Sequence, residues 1–191
     1  MHTYSYFNCD YIPSENADVT RDANLVVEHD SNKPPVATTV FFGANDAALL
    51  GRTSERQHVP VEEYKANLRK IVHHLKECSP TLLIVLITPP PVSEEGRKAH
   101  AESLYGEKAM KLPERTNEVT VQYAKACVDV AEETDVCFIN VWSKMQETEG
   151  WQKKFLSDGL HLTPEGNAVV CLPRSDKANR AMFNGLSAWA R

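Results

Sequence analysis

The stretch "TLLIVLI" at residues 81–87 decides the fold, because its six consecutive aliphatic residues leave no polar face. Two further runs, "VATTVFF" at residues 36–42 and "VCFINVW" at residues 136–142, are similarly rich in β-branched or aromatic residues. Short runs that are apolar on both faces are typical of strands buried in a parallel sheet, where helices cover both sides. The three runs therefore predict three strands of one parallel sheet.

Amphipathic helical patterns lie between these runs. The first opens at Pro60 and the second at Pro113, and proline is favourable at the first position of a helix. Apolar residues recur in both at three- and four-residue steps, as on one face of a helix. They are Val61, Tyr64, Leu68, Ile71, Val72 and Leu75 in the first pattern and Val119, Tyr123, Cys127 and Val130 in the second. Strands that alternate with helices predict right-handed βαβ crossovers and an α/β fold.

The polar segment at residues 93–111 follows the second predicted strand. Its composition indicates a solvated loop or a short surface helix. Because it leaves the carboxyl end of a parallel strand, it could also border a ligand crevice.

Length and charge exclude several classes of protein. A chain of 191 residues fits one domain, and its net charge of -5 without a basic cluster argues against a nucleic-acid partner. The longest aliphatic run is far shorter than the ~20 residues that cross a bilayer. Residues 1–18 also lack the basic start and apolar core of a signal peptide. We therefore expect no membrane partner.

The cysteines indicate a reducing compartment. There are five of them, widely spaced and without a Cys-x-x-Cys pair, so a disulfide framework or a zinc site is unsupported. Cys127 and Cys137 fall inside apolar patterns, which predicts buried free thiols. The cytosol fits this usage best.

A candidate site follows the first predicted strand, in "FFGANDAALL". Ligands of parallel α/β sheets bind at the carboxyl ends of the strands, where Gly43, Asn45 and Asp46 stand. Gly43 permits a close backbone approach to a ligand, and the Asn45 amide could donate to a developing oxyanion. The alternative is structural, since Asn-Asp after a strand is also a common turn and cap signal.

A second candidate lies after the third strand, in "FLSDGLHLTPEGN". Asp158 could hold the His161 ring in one tautomer and leave its other nitrogen as a general base. Thr163 is a good N-cap and Pro164 a good first residue for a last helix. The alternative is an Asp-Gly turn followed by an ordinary loop histidine.

Several segments together resemble the SGNH (GDSL) hydrolase family, and within it the esterases similar to isoamyl-acetate-hydrolysing enzymes, especially those of plants. The segments, in chain order, are "VFFGANDAAL", "QHVPVEEYKANLRKIV", "VLITPPP", "LPERTNEV", "YAKAC" and "LSDGLHLTPEGN". They cover roughly residues 36–170.

This resemblance implies a flavodoxin-like three-layer α/β/α sandwich and a Ser–His–Asp mechanism on small short-chain esters. Carried over by position, His161 is the general base, Asp158 orients it, and Asn45 is an oxyanion donor. Gly43 is carried as a substrate-contacting position. No metal and no organic cofactor is implied, and the partner is a small-molecule ester.

The sequence also departs from the family pattern. The family's first block is a Gly-Asp-Ser turn that supplies the nucleophile, and its second block supplies a glycine oxyanion donor. Neither block stands ahead of residue 36, and Ser54 comes after the Gly43 block and so too late in chain order. The nucleophile is therefore unknown, and the sequence predicts a core that lacks the first two βα units.

Two functional hypotheses follow. The chain is either an SGNH ester hydrolase or a truncated non-catalytic form with at most a binding role. A third hypothesis, a phosphate- or nucleotide-binding module, is weakly supported, because no Gly-rich phosphate loop follows any strand. We divide the chain into a divergent segment 1–35, a core 36–170 and a divergent tail 171–191. Loss of two strands would leave the first remaining strand as an uncovered edge, which predicts self-association.

Overall fold

A computed structural model describes residues 37–109 and 112–171. Three strands, β1 (Ala37–Phe41), β2 (Leu83–Ile87) and β3 (Cys137–Ile139), form one sheet in the order β1-β2-β3. Both pairings are parallel, from Ala37↔Leu83 to Phe41↔Ile87 and from Val85↔Cys137 to Ile87↔Ile139. All three predicted strands and their parallel arrangement are confirmed.

Six α-helices connect and cover these strands within the described residues. They are α1 (Val61–Cys78), α2 (Glu94–Tyr105), α3 (Asn117–Glu133), α4 (Val141–Gln146), α5 (Trp151–Lys154) and α6 (Pro164–Cys171). Short 3-10 turns lie at Glu55–Gln57 and Gly106–Lys108.

The two long predicted helices are present, but the start of the second was predicted wrongly. Helix α1 begins at Val61, directly after Pro60. Helix α3 begins at Asn117 rather than at Pro113, because Thr116 is its N-cap and accepts a hydrogen bond from the Val119 N–H at 3.2 Å. The Thr116 hydroxyl gives an acceptor to a backbone N–H of the first helical turn. Proline has no side-chain acceptor that could do the same.

Apolar side chains form a separate core on each face of the sheet. Successive residues of a strand point to opposite faces, and Leu86 and Ile87 accordingly belong to different cores. The larger core joins β1 and β2 to α1 and α3, and the smaller one joins Ile87 to Val141, Met145 and Phe155. Helices on both faces of a parallel sheet make the three layers that the sequence predicted.

Residues 93–109 contain the surface helix, one of the two structures predicted for this segment. The Ser93 hydroxyl caps α2 by accepting from the Gly96 N–H at 3.1 Å, and no residue of α2 is buried. The divisions 1–35 and 171–191 fall on residues outside the described part of the chain, apart from the backbone of Cys171.

Cysteine and membrane predictions can be compared with the described residues. Cys127 is a buried free thiol as predicted, whereas Cys137 is only half-buried and Cys78 is exposed. Among residues 37–109 and 112–171, no helix has the length and apolarity needed to cross a membrane.

Candidate active site

The loop after β1 is tightly built around Gly43. Its φ is +108°, and a Cβ at this position would lie 3.0 Å from the Tyr64 hydroxyl and 3.1 Å from Pro89 Cγ. The Gly43 N–H donates to Asp46 Oδ2 at 3.1 Å. Burial raises the pKa of Asp46, even though backbone N–H groups bind its carboxylate. Glycine is therefore required by packing inside the protein, and its contact with substrate stays a prediction.

Asn45 lies in this loop beside Arg115. Arg115 Nη2 donates to Asn45 Oδ1 at 3.3 Å, and Arg115 Nε donates to the Ala44 carbonyl at 2.9 Å. Arg115 also donates to the side-chain oxygen of Gln57. Only 2% of Arg115 is exposed. A buried arginine thus fixes the loop that carries the predicted oxyanion donor.

Asp158 and His161 form a close pair in the loop between α5 and α6. His161 Nδ1 lies 2.7 Å from Asp158 Oδ2, while Asp158 Oδ1 accepts from the N–H groups of Leu160 at 3.0 Å and His161 at 2.8 Å. Thr163 caps α6 as predicted, since its hydroxyl accepts from the Gly166 N–H at 3.0 Å. The three-residue spacing therefore lets backbone and side-chain groups of the same loop bind the Asp158 carboxylate.

The ionisation of Asp158 determines the tautomer of His161. Burial acts against the charged carboxylate, but the N–H and the ring of His161 and the N–H of Leu160 outweigh it and lower the pKa of Asp158 to about 2. An ionised carboxylate can only accept, so Nδ1 carries the proton and Nε2 is the basic nitrogen of the neutral ring. The His161 side chain is 58% exposed and that of Asp158 only 11%. A general base and its orienting partner need such a contact, and these roles of His161 and Asp158 stay predictions.

Two glycines bring this loop against the start of α2. Gly159 has a φ of +86°, and a Cβ there would lie 2.5 Å from the Arg97 backbone nitrogen and 2.6 Å from the Ser93 carbonyl oxygen. A Cβ at Gly96 would lie 2.8 Å from Gly159 Cα. The Ser93 N–H donates to the Gly159 carbonyl at 2.9 Å. Direct backbone contact therefore sets the distance between Asp158 and α2.

A chain of charges links the two loops, and the sequence interpretation missed it. Arg97 Nη1 donates to Asp158 Oδ2 at 2.7 Å, and Arg97 Nη2 donates to Glu114 Oε1 at 2.6 Å. The same Glu114 oxygen accepts from Arg115 Nη1 at 2.8 Å, and Arg115 binds Asn45. Glu114 and Arg115 lie within "LPERTNEV", a segment noted above only because it resembles the family's sequences. Nothing in the local sequence reveals its burial.

The described residues provide no nucleophile bound to His161. The ring of His161 contacts Asp158 through Nδ1, and the nearby Ser157 hydroxyl donates instead to the His161 carbonyl oxygen at 3.1 Å. The hydroxyls of Ser54 and Ser93 bind Glu114 and the Gly96 N–H. The nucleophile therefore stays unknown.

The part of the chain that the structure describes contains no group of three or more His, Cys, Asp and Glu side chains placed to hold an ion. The expectation that no metal or cofactor is needed stays a prediction.

A parallel sheet between helical layers, with an Asp–His pair and a Gly-x-Asn-Asp loop, is the arrangement that the sequence predicted for an SGNH-type hydrolase. The family described as GDSL-like Lipase/Acylhydrolase has a sequence model that matches residues 10–172. The chain belongs to this family.

Two curated relatives are similar over most of the chain. A GDSL esterase/lipase of Arabidopsis thaliana is 69% identical over 155 residues, covering 79% of this chain and 64% of the relative. The isoamyl acetate-hydrolyzing esterase 1 homolog of Bos taurus is 44% identical over 137 residues, covering 71% of this chain and 53% of the relative. The chain thus spans between about half and two thirds of the length of these relatives.

Solved structures confirm the fold class. The lipase/acylhydrolase from Enterococcus faecalis aligns with a TM-score of 0.53 at 24% identity, covering 74% of this chain and 66% of that one. An acetyl-xylooligosaccharide esterase from Geobacillus aligns with a TM-score of 0.52 at 24% identity, covering 78% of this chain and 63% of that one. These likenesses concern the fold alone, and they agree with the α/β fold class that the sequence predicted.

Proposed function

We propose that this chain carries the base and one oxyanion donor of an ester-hydrolysing site. The observation that carries the proposal is the 2.7 Å contact between His161 Nδ1 and Asp158 Oδ2, in a member of an acylhydrolase family. Asp158 fixes the tautomer, so that His161 Nε2 removes the proton from an attacking hydroxyl. The imidazolium that forms is stabilised by the Asp158 carboxylate.

Asn45 serves as the oxyanion donor in this proposal. When a hydroxyl attacks an ester carbonyl, the carbonyl oxygen becomes negative, and an amide N–H that faces it stabilises the tetrahedral intermediate. One such side-chain donor is worth roughly 3 kcal/mol of activation free energy in other enzymes. The rigid turn at Gly43 and the contact with Arg115 support this role, because both restrict the Asn45 loop.

The proposed substrate is a small carboxylic ester with a short acyl chain. The bovine relative is named as a homolog of an isoamyl acetate-hydrolyzing esterase, and the chain shares 44% identity with that relative. We therefore propose a small-molecule ester as the partner, and we expect neither a nucleic-acid nor a membrane partner.

We propose further that these 191 residues by themselves turn over esters poorly. No Gly-Asp-Ser triplet occurs in the sequence, and among the described residues no serine hydroxyl donates to the His161 ring. Without an activated hydroxyl the base has no nucleophile to deprotonate. The alternative is a non-catalytic form that only binds its ligand.

A fusion experiment separates the assignment of the base from the impairment. We expect the 191-residue chain to hydrolyse p-nitrophenyl acetate no faster than its His161→Ala variant. A fusion that places the Gly-Asp-Ser block and the second block of a GDSL esterase ahead of residue 37 should gain turnover that depends on His161. A folded fusion whose activity ignores His161 would show that the base is assigned wrongly.

Fluorophosphonate labelling tests the missing nucleophile directly. The fusion should be labelled at the introduced serine, and the 191-residue chain should remain unlabelled. Labelling of one serine in the unfused chain, abolished in its His161→Ala variant, would reveal a native nucleophile and contradict the proposed impairment.

The edge of β1 supports a proposal of self-association. Among the described residues β1 pairs only with β2, so one row of its backbone groups has no strand partner there. Such edges template pairing with another chain. Sedimentation equilibrium should give a mass that rises from one to two chains with concentration. A single-chain mass throughout the range would contradict this proposal.

We also propose a cytosolic location. The three cysteines whose side chains are described, Cys78, Cys127 and Cys137, are free thiols, as is usual in a reducing compartment. Imaging of a fluorescent fusion should show diffuse cytosolic signal, and accumulation in the secretory pathway would contradict it.

A further inference from the structure

Glu114 occupies the centre of the charge chain that joins the two loops. Its Oε1 accepts from Arg97 Nε at 3.1 Å, from Arg97 Nη2 at 2.6 Å and from Arg115 Nη1 at 2.8 Å. Its Oε2 accepts from the Ser54 hydroxyl at 2.5 Å. The side chains of Glu114 and Arg97 are 16% and 17% exposed, and that of Arg115 is 3% exposed. The group is therefore largely withdrawn from solvent screening.

On one side, Arg97 completes the coordination of the carboxylate that orients the base. Asp158 Oδ2 accepts from both Arg97 Nη1 and His161 Nδ1, each at 2.7 Å. Asp158 Oδ1 is bound by two backbone N–H groups. With both oxygens bound twice, the plane of the carboxylate is fixed, and so is the direction from which it receives the imidazole N–H.

On the other side, Arg115 fixes the orientation of the Asn45 amide. A guanidinium has donors only, so the Asn45 atom facing Arg115 Nη2 must be the carbonyl oxygen Oδ1. The donor Nδ2 then lies on the opposite branch of the amide. An oxyanion donor needs this orientation, because the reversed amide would present an oxygen to the developing charge.

We propose that Glu114 is a positioning residue that couples these two orientations. It holds Arg97 against Asp158 and Arg115 against Asn45 with the same carboxylate oxygen. The coupling rests on contacts alone, whereas its benefit for ester hydrolysis rests on the proposed function.

The charges around Glu114 show why its charge is needed. Asp158 and Glu114 supply two negative charges, and Arg97 and Arg115 supply two positive ones. His100 also faces Asp158, with Nε2 at 3.9 Å from Oδ2. If Glu114 becomes neutral, Arg97 and Arg115 lose the carboxylate that binds both of them, and their like charges repel each other. The carboxylate that fixes the positions of the Arg97 and Arg115 side chains relative to each other is then lost.

The variant Glu114→Gln of the full chain tests the coupling by NMR. Two signals report on the two sides: the His161 Nδ1 proton and the Asn45 side-chain amide protons, each assigned by its loss in His161→Ala or Asn45→Ala. We expect both signals to move in Glu114→Gln. A folded variant in which either signal stays in place would overturn the proposal.

Glu133 provides a matched control. It also joins two cations, Lys65 at 3.1 Å and Arg69 at 2.7 Å, but on an exposed surface between α1 and α3. Like Glu114→Gln, the variant Glu133→Gln replaces a carboxylate by a neutral amide of the same size. Neither reporter signal should move in this variant, and movement in both variants alike would mean a general electrostatic effect and overturn the proposal.

Arg115→Lys keeps the test decisive if Glu114→Gln does not fold. Lysine retains the charge but lacks the fork that reaches Glu114, Ala44 and Asn45 together. The coupling predicts that the Asn45 signals move and that the His161 signal moves with them through Glu114. Movement of Asn45 alone would overturn it. None of these signals depends on turnover, so an inactive chain does not affect the outcome.

Discussion

Arg97 Nη1 lies 2.7 Å from Asp158 Oδ2, the oxygen that also binds the His161 ring. The orienting carboxylate of the proposed base is therefore shared between a histidine and an arginine. Arg97 in turn is held by Glu114, so the base cannot be described by Asp158 and His161 alone.

Asp158→Asn should leave the fold intact and remove the orientation of His161. The amide can offer an N–H where the carboxylate accepted one, which favours the wrong tautomer of the ring. In a serine protease this change lowers kcat by about 10⁴-fold. We expect a loss of similar size in the kcat of the Gly-Asp-Ser fusion. A loss of less than about tenfold would contradict the assigned role.

Asp158 should contribute stability that disappears in acid. Its pKa is lowered from 3.8 to about 2, so its contribution is fully present above about pH 4 and is lost as the pH falls towards 2. A shift of this size corresponds to at most roughly 2–3 kcal/mol, less whatever solvent screening removes. The difference in unfolding free energy between the native chain and Asp158→Asn should shrink over that range. A constant difference would contradict the ionisation assigned here.

Gly159→Ala should destabilise the chain more than Gly51→Ala. Both glycines have a positive φ, +86° and +71°, but a Cβ at Gly51 meets no atom within 4 Å, whereas one at Gly159 would be 2.5 Å from the Arg97 backbone. Backbone strain alone costs about 1 kcal/mol, and the clash should raise the total to roughly 3 kcal/mol or more. Urea unfolding of both variants measures the difference, and equal losses would mean that the loop does not rest on α2.

Arg115→Met should be strongly destabilising. The change leaves Glu114 without one cation and the Ala44 carbonyl without its donor in a buried place, at a cost of about 3–5 kcal/mol. Arg69→Met breaks an exposed ion pair with Glu133 and should change stability little. Thermal or urea unfolding checks both, and comparable losses would contradict the buried role of Arg115.

The sequence predicted the strands and the Asp158–His161 pair because local patterns carry that information. An apolar run such as residues 81–87 can only be buried, and a three-residue loop spacing brings Asp158 and His161 together without help from the rest of the chain. The start of α3 was misplaced because two signals compete there. A proline at position 113 and a threonine at position 116 both mark a helix start, and the cap at Thr116 prevails.

Arg97, Glu114 and Arg115 could not be predicted from local patterns. A polar segment such as residues 93–111 looks solvated whether or not its one arginine, Arg97, turns inward. The contact between Arg97 and Asp158 joins residues 61 positions apart and depends on the fit of Gly159 against α2. Such contacts arise only from tertiary packing, which no periodicity encodes.

We propose that this chain holds the base of an ester-hydrolysing site without its nucleophile. The most direct measurement is the rate of p-nitrophenyl acetate hydrolysis by the purified 191-residue chain and by its His161→Ala variant, side by side. We predict equal rates. A clearly faster, His161-dependent rate in the unsubstituted chain would contradict the claim.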